Sequence, residues 1–233
     1  MKDFVFDLYG TLVDIHTDEN DKRFRRLISK EAERLAGRKF DFWKVYLKKC
    51  KALTEGDRDV DVRRVFKECF TPYRDLDDET LTSFCDFFRE KSRLFLSLYE
   101  GVSAGLTALK AKGARVYLIS NAQTCFTYKE MRLLGIFDFF DGISLSSEVG
   151  YCKPRPEFFE RSLERFGIDK TNAVYTGNDI RSDIIPSVRA GLKCVYVYSD
   201  LSPEDDAIDK ARDYTQNVFT SIKQVFDFLL NEL

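Results

Sequence analysis

The 233-residue chain has one histidine, one tryptophan and two methionines, and it has no long apolar segment. Its longest unbroken apolar run extends only from Cys194 to Tyr198, whereas a membrane-spanning helix needs about 20 apolar residues. No basic-then-apolar signal region stands at the N-terminus. We therefore expect neither a membrane span nor an export signal.

An excess of charge is also missing, because 37 basic residues nearly balance 39 acidic ones. With no overall field to attract a polyanion, we expect neither nucleic acid nor a membrane as a partner. The six cysteines include no C-x-x-C pair of the kind that binds zinc or cycles between thiol and disulfide. A chain of this length can bury a sufficient core without disulfides, so a cytoplasmic location is expected.

Strands and amphipathic helices alternate regularly after residue 98. The chain itself opens with a β-branched and aromatic run at 3–8 that stops at a glycine turn, which is typical of a buried strand. The later strands are predicted at 115–120, 142–145, 172–176 and 193–198, and the helices at 103–112, 125–134, 156–166, 182–190 and 221–230. This alternation indicates βαβ units on a parallel sheet.

The segment 15–97 lacks this alternation and is predicted to be helical throughout. Apolar residues recur at helical spacing from Phe24 to Leu35 and again from Phe42 onwards. Further helices are expected at 60–70 and 79–96.

The first strand has no sequence neighbour to pair with, so it is expected to join the sheet of the later strands. We therefore predict an α/β fold with a doubly wound parallel sheet. Residues 1–14 and 98–233 would form this core, and residues 15–97 would be an inserted helical domain.

Polar side chains gather just after the predicted strands. In an open parallel sheet, ligands bind beyond the carboxyl ends of the strands. The residues at these ends are Asp7, Tyr9 and Thr11 at the first strand, Ser120 and Asn121 at the end of 115–120, Lys153 after the segment 142–150, and Asp179 and Asp183 after 172–176. They are predicted to converge on one small volume.

These residues resemble the four motifs of the haloacid dehalogenase-like (HAD) hydrolase superfamily, in order and over essentially the whole chain. The matching residues are Asp7, Gly10 and Thr11 of D-x-x-G-T, then Ser120, then Lys153, and finally G-N-D-x-x-x-D from Gly177 to Asp183. The resemblance implies a Rossmann-like core. It also implies that 15–97 is the mobile cap of the helical-cap subclass, whose loops select the substrate.

The resemblance further implies a nucleophile and a Mg²⁺ ion. Asp7 occupies the nucleophile position and would attack phosphorus to give an aspartyl-phosphate. The ligands of the ion would be Asp7, the main-chain carbonyl of Tyr9 and Asp179. Asp183 would hold a metal-bound water or add a ligand.

Two more roles follow from the resemblance. Lys153 would neutralise the nucleophile and the phosphoryl oxygens, and Ser120 would donate a hydrogen bond to the same oxygens. Thr11, the last residue of D-x-x-G-T, and Asn121, which follows Ser120, belong to the same candidate catalytic set.

Tyr9 departs from the usual phosphatase pattern. Most phosphatases of the superfamily have an aspartate two residues after the nucleophile, which serves as acid for the leaving group and then as base for water. The pattern D-x-Y-G-T also opens the 2-haloacid dehalogenase branch, in which the aspartate attacks carbon without a metal. That branch has small polar residues where Asp179 stands here, and further carboxylates near Asp7 call for a cation.

We therefore expect a Mg²⁺-dependent phosphatase whose partner is a small phosphate ester. A 2-haloacid dehalogenase and a weakly active protein that binds a phosphorylated metabolite are the alternatives.

Several residues also have plainer interpretations. Asp179 and Asp183 can cap the helix predicted at 182–190. His16 is a conceivable general base, while Cys125 and Cys152 have no histidine to activate them and are expected to be inert.

Overall fold

The computed structural model describes residues 2–54, 59–204 and 208–233. Its strands, in chain order, are β1 (Asp3–Phe6), β2 (Val13–Thr17), β3 (Arg93–Leu98), β4 (Arg115–Ser120), β5 (Gly142–Leu145), β6 (Ala173–Gly177), β7 (Lys193–Val197) and β8 (Val218–Phe219). Its α-helices are α1 (Lys22–Ala36), α2 (Phe42–Leu53), α3 (Val62–Phe70), α4 (Asp78–Ser92), α5 (Val102–Ala111), α6 (Thr124–Leu133), α7 (Ser146–Val149), α8 (Pro156–Phe166), α9 (Ile185–Arg189), α10 (Ile208–Ala211) and α11 (Ile222–Asn231).

The central sheet has six parallel strands in the order β5-β4-β1-β6-β7-β8. Strand β1 lies between β4 and β6, with Phe6 opposite Leu118 on one side and Thr176 on the other. Because side chains alternate along a strand, Phe4 and Phe6 pack in one buried cluster and Val5 in another, on the opposite face. The predicted doubly wound α/β fold is confirmed.

Helices α1 to α4 enclose an apolar cluster to which Phe126 of α6 also belongs. It is rich in aromatic rings: Phe42, Phe66, Phe84 and Phe88 are all buried, and the ring of Phe66 contacts those of the other three. Aspartates cap the N-termini of all four helices, as Asp77 does for α4 by accepting the amide N–H of Thr80 at 2.7 Å.

The prediction that 15–97 is helical throughout is wrong at both ends. Strands β2 and β3 pair antiparallel there, with Ile15 opposite Leu96 and His16 opposite Phe95. The helix predicted at 79–96 consequently ends at Ser92. The run after Ser92 is too short to distinguish helix from strand by its periodicity, and the pairing with β2 decides its structure.

Smaller differences lie near the C-terminus. The helix predicted at 182–190 begins with a π-helical turn at Ile180–Ile184 before α9. Sequence patterns did not predict the two-residue edge strand β8. Among the described residues, no helix is both long and apolar enough to cross a membrane.

Candidate active site

Lys153 is the centre of a buried ionic cluster at the carboxyl edge of the sheet. Its ammonium donates hydrogen bonds to Asp7 Oδ1 at 2.7 Å, to Asp183 Oδ1 at 2.6 Å and to the hydroxyl of Tyr175 at 3.0 Å. Tyr175 in turn donates to Asp183 Oδ1 at 2.8 Å. All four side chains are buried. One lysine thus bridges the carboxylates that follow β1 and β6.

The other oxygen of the Asp183 carboxylate is held by the backbone. Asp183 Oδ2 accepts the amide N–H groups of Asn178 at 3.1 Å and of Asp179 at 3.0 Å. A Cβ atom on Gly177 would overlap the Asp183 carboxyl group. Glycine at this position is therefore a packing requirement of the site.

Burial and charge act in opposite directions on this cluster. Burial raises the pKa of Asp183 to about 6, although Lys153 acts to lower it. Burial alone would lower the pKa of Lys153, but the Asp183 and Asp7 carboxylates outweigh burial and raise it. The lysine is therefore a permanent cation near neutral pH.

A tight turn presents Asp7. The amide of Asp7 still donates to the β6 carbonyl of Thr176 at 2.9 Å, after which the chain turns through Gly10 at φ 83°. A Cβ atom on Gly10 would collide with the side chain of Asn178, so the D-x-x-G-T glycine is required for both its conformation and its size. Thr11 Oγ1 lies 3.4 Å from Asp7 Oδ2 and 3.3 Å from Asn178 Oδ1.

Asn121 fixes the backbone of Lys153. Its amide donates to the Lys153 carbonyl at 2.9 Å, and its Oδ1 accepts the Lys153 N–H at 2.7 Å. Ser120, at the end of β4, is buried beside it. Both residues line a cavity of about 230 Å³ at this edge of the sheet. The other residues around the cavity are Asp7, Tyr9, Lys153, Asn178, Asp179, Ser182, Asp183, Leu201 and Pro203.

The structure thus brings seven of the eight predicted side chains to one place. The eighth, Tyr9, lines the cavity but has its hydroxyl bound elsewhere: it donates to Glu130 Oε2 at 2.5 Å and lies 3.1 Å from Thr127 Oγ1. Burial, reinforced by the Glu130 carboxylate, raises the pKa of the Tyr9 phenol well above its usual value. The phenol is consequently a poor proton donor to a leaving group.

Asp179 has a demonstrable capping role. Its Oδ1 accepts the amide N–H groups of Arg181 at 2.7 Å and Ser182 at 3.0 Å at the start of the π-helical turn.

The charges around the cavity do not balance, because the carboxylates of Asp7, Asp179 and Asp183 face a single ammonium, that of Lys153. This surplus of negative charge and oxygen donors fits a hard divalent cation.

A second group of potential metal-binding side chains lies outside this cavity. Within the described parts of the chain, only Asp14, His16 and Asp200 place three metal-ligating side-chain atoms within 4.8 Å of one another. His16 Nε2 lies 3.0 Å from Asp14 Oδ1 and 3.4 Å from Asp200 Oδ2. These atoms could hold a metal ion. Asp200 was not predicted, because no motif marks it, although it follows β7.

Two further residues of the ionic cluster escaped sequence analysis. Asn178 stands inside the G-N-D sequence but had no role until its contact with Thr11 was known. Tyr175 lies within β6, where an aromatic residue is typical of the core and gives no functional signal.

The fold and this cluster define an α/β protein with a buried aspartate–lysine pair at the ligand-binding edge of a parallel sheet. A profile of the haloacid dehalogenase-like hydrolases matches residues 1–191. The chain therefore belongs to the haloacid dehalogenase-like hydrolase family, as its motifs predicted.

Relatives with named activities match about half of the chain. A glyceraldehyde 3-phosphate phosphatase from Methanothermobacter thermautotrophicus is 35% identical over 113 residues, which are 48% of this chain and 50% of that protein. A phosphoglycolate phosphatase from Nitrosococcus oceani is 31% identical over 124 residues, 53% of this chain and 55% of its own length. The chain thus spans about half the length of the curated relatives that it matches.

Solved structures resemble the whole chain. A HAD phosphatase from Thermococcus onnurineus has a TM-score of 0.62 and 18% sequence identity, with 98% of each chain covered. At this identity, the likeness shows a shared fold.

Proposed function

We propose that the protein is a Mg²⁺-dependent phosphatase of small phosphorylated metabolites and that Asp7 is its nucleophile. The observation that carries the proposal is the Asp7 carboxylate bound to Lys153 at 2.7 Å beside a cavity of about 230 Å³. The phosphatase names of relatives at 31–35% identity support a phosphate ester as the substrate.

We assign three roles in the reaction to residues of this site: nucleophile, charge neutralisation and hydrogen bonding to the phosphoryl oxygens. An Asp7 oxygen would form the bond to phosphorus as the ester oxygen departs, giving an aspartyl-phosphate that water then hydrolyses. Lys153 would offset the negative charge of Asp7 and of the phosphoryl oxygens, while Ser120 would donate a hydrogen bond to them. Asn121 would hold Lys153 in place through its two backbone hydrogen bonds.

The cavity's charge supports the metal assignment. A Mg²⁺ ion would screen the repulsion between the Asp7 carboxylate and an incoming phosphate. Asp7, the Tyr9 carbonyl and Asp179 would hold the ion. Asp183 already accepts four hydrogen bonds from Lys153, Tyr175 and two backbone amides, so we assign it an indirect role through a water molecule.

We also propose that 15–97 is a cap that selects the substrate. Its helices pack around an apolar cluster that, among the described residues, they share with the core only through α6, and its two connections to the core, β2 and β3, run side by side as a hinge would. A cytoplasmic location accords with six cysteines that are all free thiols.

A panel of phosphate esters tests the function. We expect hydrolysis of small phosphorylated acids and aldehydes with Mg²⁺, with at least a hundredfold loss in excess chelator and recovery on adding Mg²⁺. Asp179→Asn should raise the Mg²⁺ concentration that gives half-maximal activity while leaving the melting temperature within a few degrees. Full activity in chelator would refute the metal role, and chloride release from 2-chloropropionate would identify a dehalogenase instead.

The leaving group provides a second test. With the Tyr9 hydroxyl bound to Glu130, no carboxylic acid stands two residues after Asp7 to protonate the departing oxygen. General acid catalysis contributes about 10²–10⁴-fold, most of all for poor leaving groups. We therefore expect kcat/KM to fall steeply as the pKa of the leaving alcohol rises from aryl to alkyl esters. A flat plot would show that another group supplies the proton.

A further inference from the structure

Glu130 of α6 is the buried centre of a second polar network, about which the sequence motifs say nothing. The residue is 2% exposed. Its carboxylate accepts hydrogen bonds from Arg89 Nε at 2.8 Å, Arg89 Nη2 at 3.1 Å, Arg93 Nη1 at 3.3 Å and the Tyr9 hydroxyl at 2.5 Å. A buried carboxylate with this many donors is well satisfied.

The donors come from two separate parts of the chain, the end of the helical insert and the loop after β1. Arg89 lies on α4 of the helical insert, Arg93 begins β3, and Tyr9 follows the candidate nucleophile by two residues. The Arg89 guanidinium also lies over the rings of Tyr9 and Phe126, at 5.9 and 5.2 Å from their centroids. The network can form only while α4 lies against α6.

The Tyr9 side chain projects from the short loop 7–12, which joins β1 to β2. The Leu8 carbonyl accepts the amide N–H groups of Thr11, Leu12 and Val13, and these hydrogen bonds connect the two ends of the loop. A tether on the Tyr9 hydroxyl therefore restrains the orientation of Asp7, which stands immediately before Leu8.

We propose that Glu130 is a positioning residue that couples the helical insert to the nucleophile loop, with Arg89 and Tyr9 as its two arms. When α4 lies on α6, Arg89 orients Glu130, and Glu130 fixes Tyr9 and with it the loop that carries Asp7. The kinetic consequence rests on the proposed phosphatase function, whereas the structural coupling does not.

A neighbouring ion pair provides a matched control. Asp86 of α4 and Lys129 of α6 join the same two helices at 2.8 Å but contact neither Tyr9 nor Glu130 through any hydrogen bond recorded for the described residues. If Glu130 only held α4 against α6, loss of either connection would have the same effect on activity. If Glu130 positions the loop that carries Asp7, only loss of the Glu130 network would change activity.

The test compares Tyr9→Phe, Arg89→Lys, their double variant and Asp86→Asn. Tyr9→Phe removes only the hydroxyl and Arg89→Lys keeps the charge, so all are expected to fold. Because small displacements of a reacting group are costly, we expect kcat to fall about tenfold in each network variant with KM within about twofold. The double variant should also lose about tenfold rather than a hundredfold, and Asp86→Asn should retain wild-type kcat.

Amide hydrogen exchange of residues 8–12, measured without substrate, gives a readout independent of activity. Exchange should accelerate at least tenfold in the network variants and stay unchanged in Asp86→Asn. Unchanged kcat and exchange in the network variants, or equal effects in Asp86→Asn, would overturn the proposal. If the wild-type protein hydrolyses no phosphate ester, the proposed function fails, and the exchange rates alone still decide whether Glu130 couples the insert to the loop.

Discussion

Asp7→Asn is expected to lower phosphate-ester hydrolysis by about 10³-fold or more, because an amide cannot form the covalent intermediate. The same change should not destabilise the fold. It removes one of two carboxylates that share Lys153, while Lys153 keeps its 2.6 Å contact with Asp183. We expect the melting temperature of the variant, measured without metal, to be equal to or above that of the wild type. The kcat of both proteins is measured separately, with Mg²⁺ present.

Asp3→Asn is the matched control at the opposite end of the same strand. Asp3 is as buried as Asp183 and accepts two hydrogen bonds from Arg115, at 2.7 and 2.6 Å. Losing its charge should lower the free energy of unfolding by about 1–2 kcal/mol and leave kcat unchanged. If Asp7→Asn retained activity, or if both variants lost it equally, Asp7 would not be the nucleophile.

Local sequence predicted the part of the site that depends on strand ends. Polar residues at the ends of buried runs, such as Ser120 at the end of β4, must lie together once the strands are parallel, because all carboxyl ends meet at one edge. The same patterns placed β4 and β5 at their observed bounds. These inferences succeed because they need only the periodicity of short segments and the direction of the strands.

Contacts between distant segments were not predictable in this way. The pairing of β2 with β3 depends on residues about 80 positions apart, and periodicity within either segment does not reveal it. The hydroxyl of Tyr9 meets Glu130 across 121 positions, so its displacement from the nucleophile was invisible as well. Sequence patterns specify which side of an element is apolar, whereas the partner of a buried polar group depends on the assembled packing.

The ionic cluster also predicts how the protein responds to loss of its lysine. Asp7 and Asp183 both bind Lys153, and burial already raises the pKa of Asp183 to about 6. Lys153→Met would leave two buried carboxylates facing each other with no cation between them. Such a pair retains a proton, so the pKa of Asp183 would rise further above the value of about 3.9 in the unfolded chain.

We expect Lys153→Met to lose about 10³-fold in kcat and, without metal at pH 8, about 3–5 kcal/mol of stability relative to the wild type. The folded variant binds more protons than the unfolded chain, so its stability falls as pH rises through the raised pKa and recovers as pH falls. Its melting-temperature deficit should therefore be smaller at pH 5 than at pH 8. Lys110→Met, which breaks the exposed 2.7 Å pair with Asp141, should change stability little and leave kcat intact. A deficit in Lys153→Met that is the same at both pH values would mean that the two carboxylates do not share a proton, and that Lys153 contributes through packing rather than through charge.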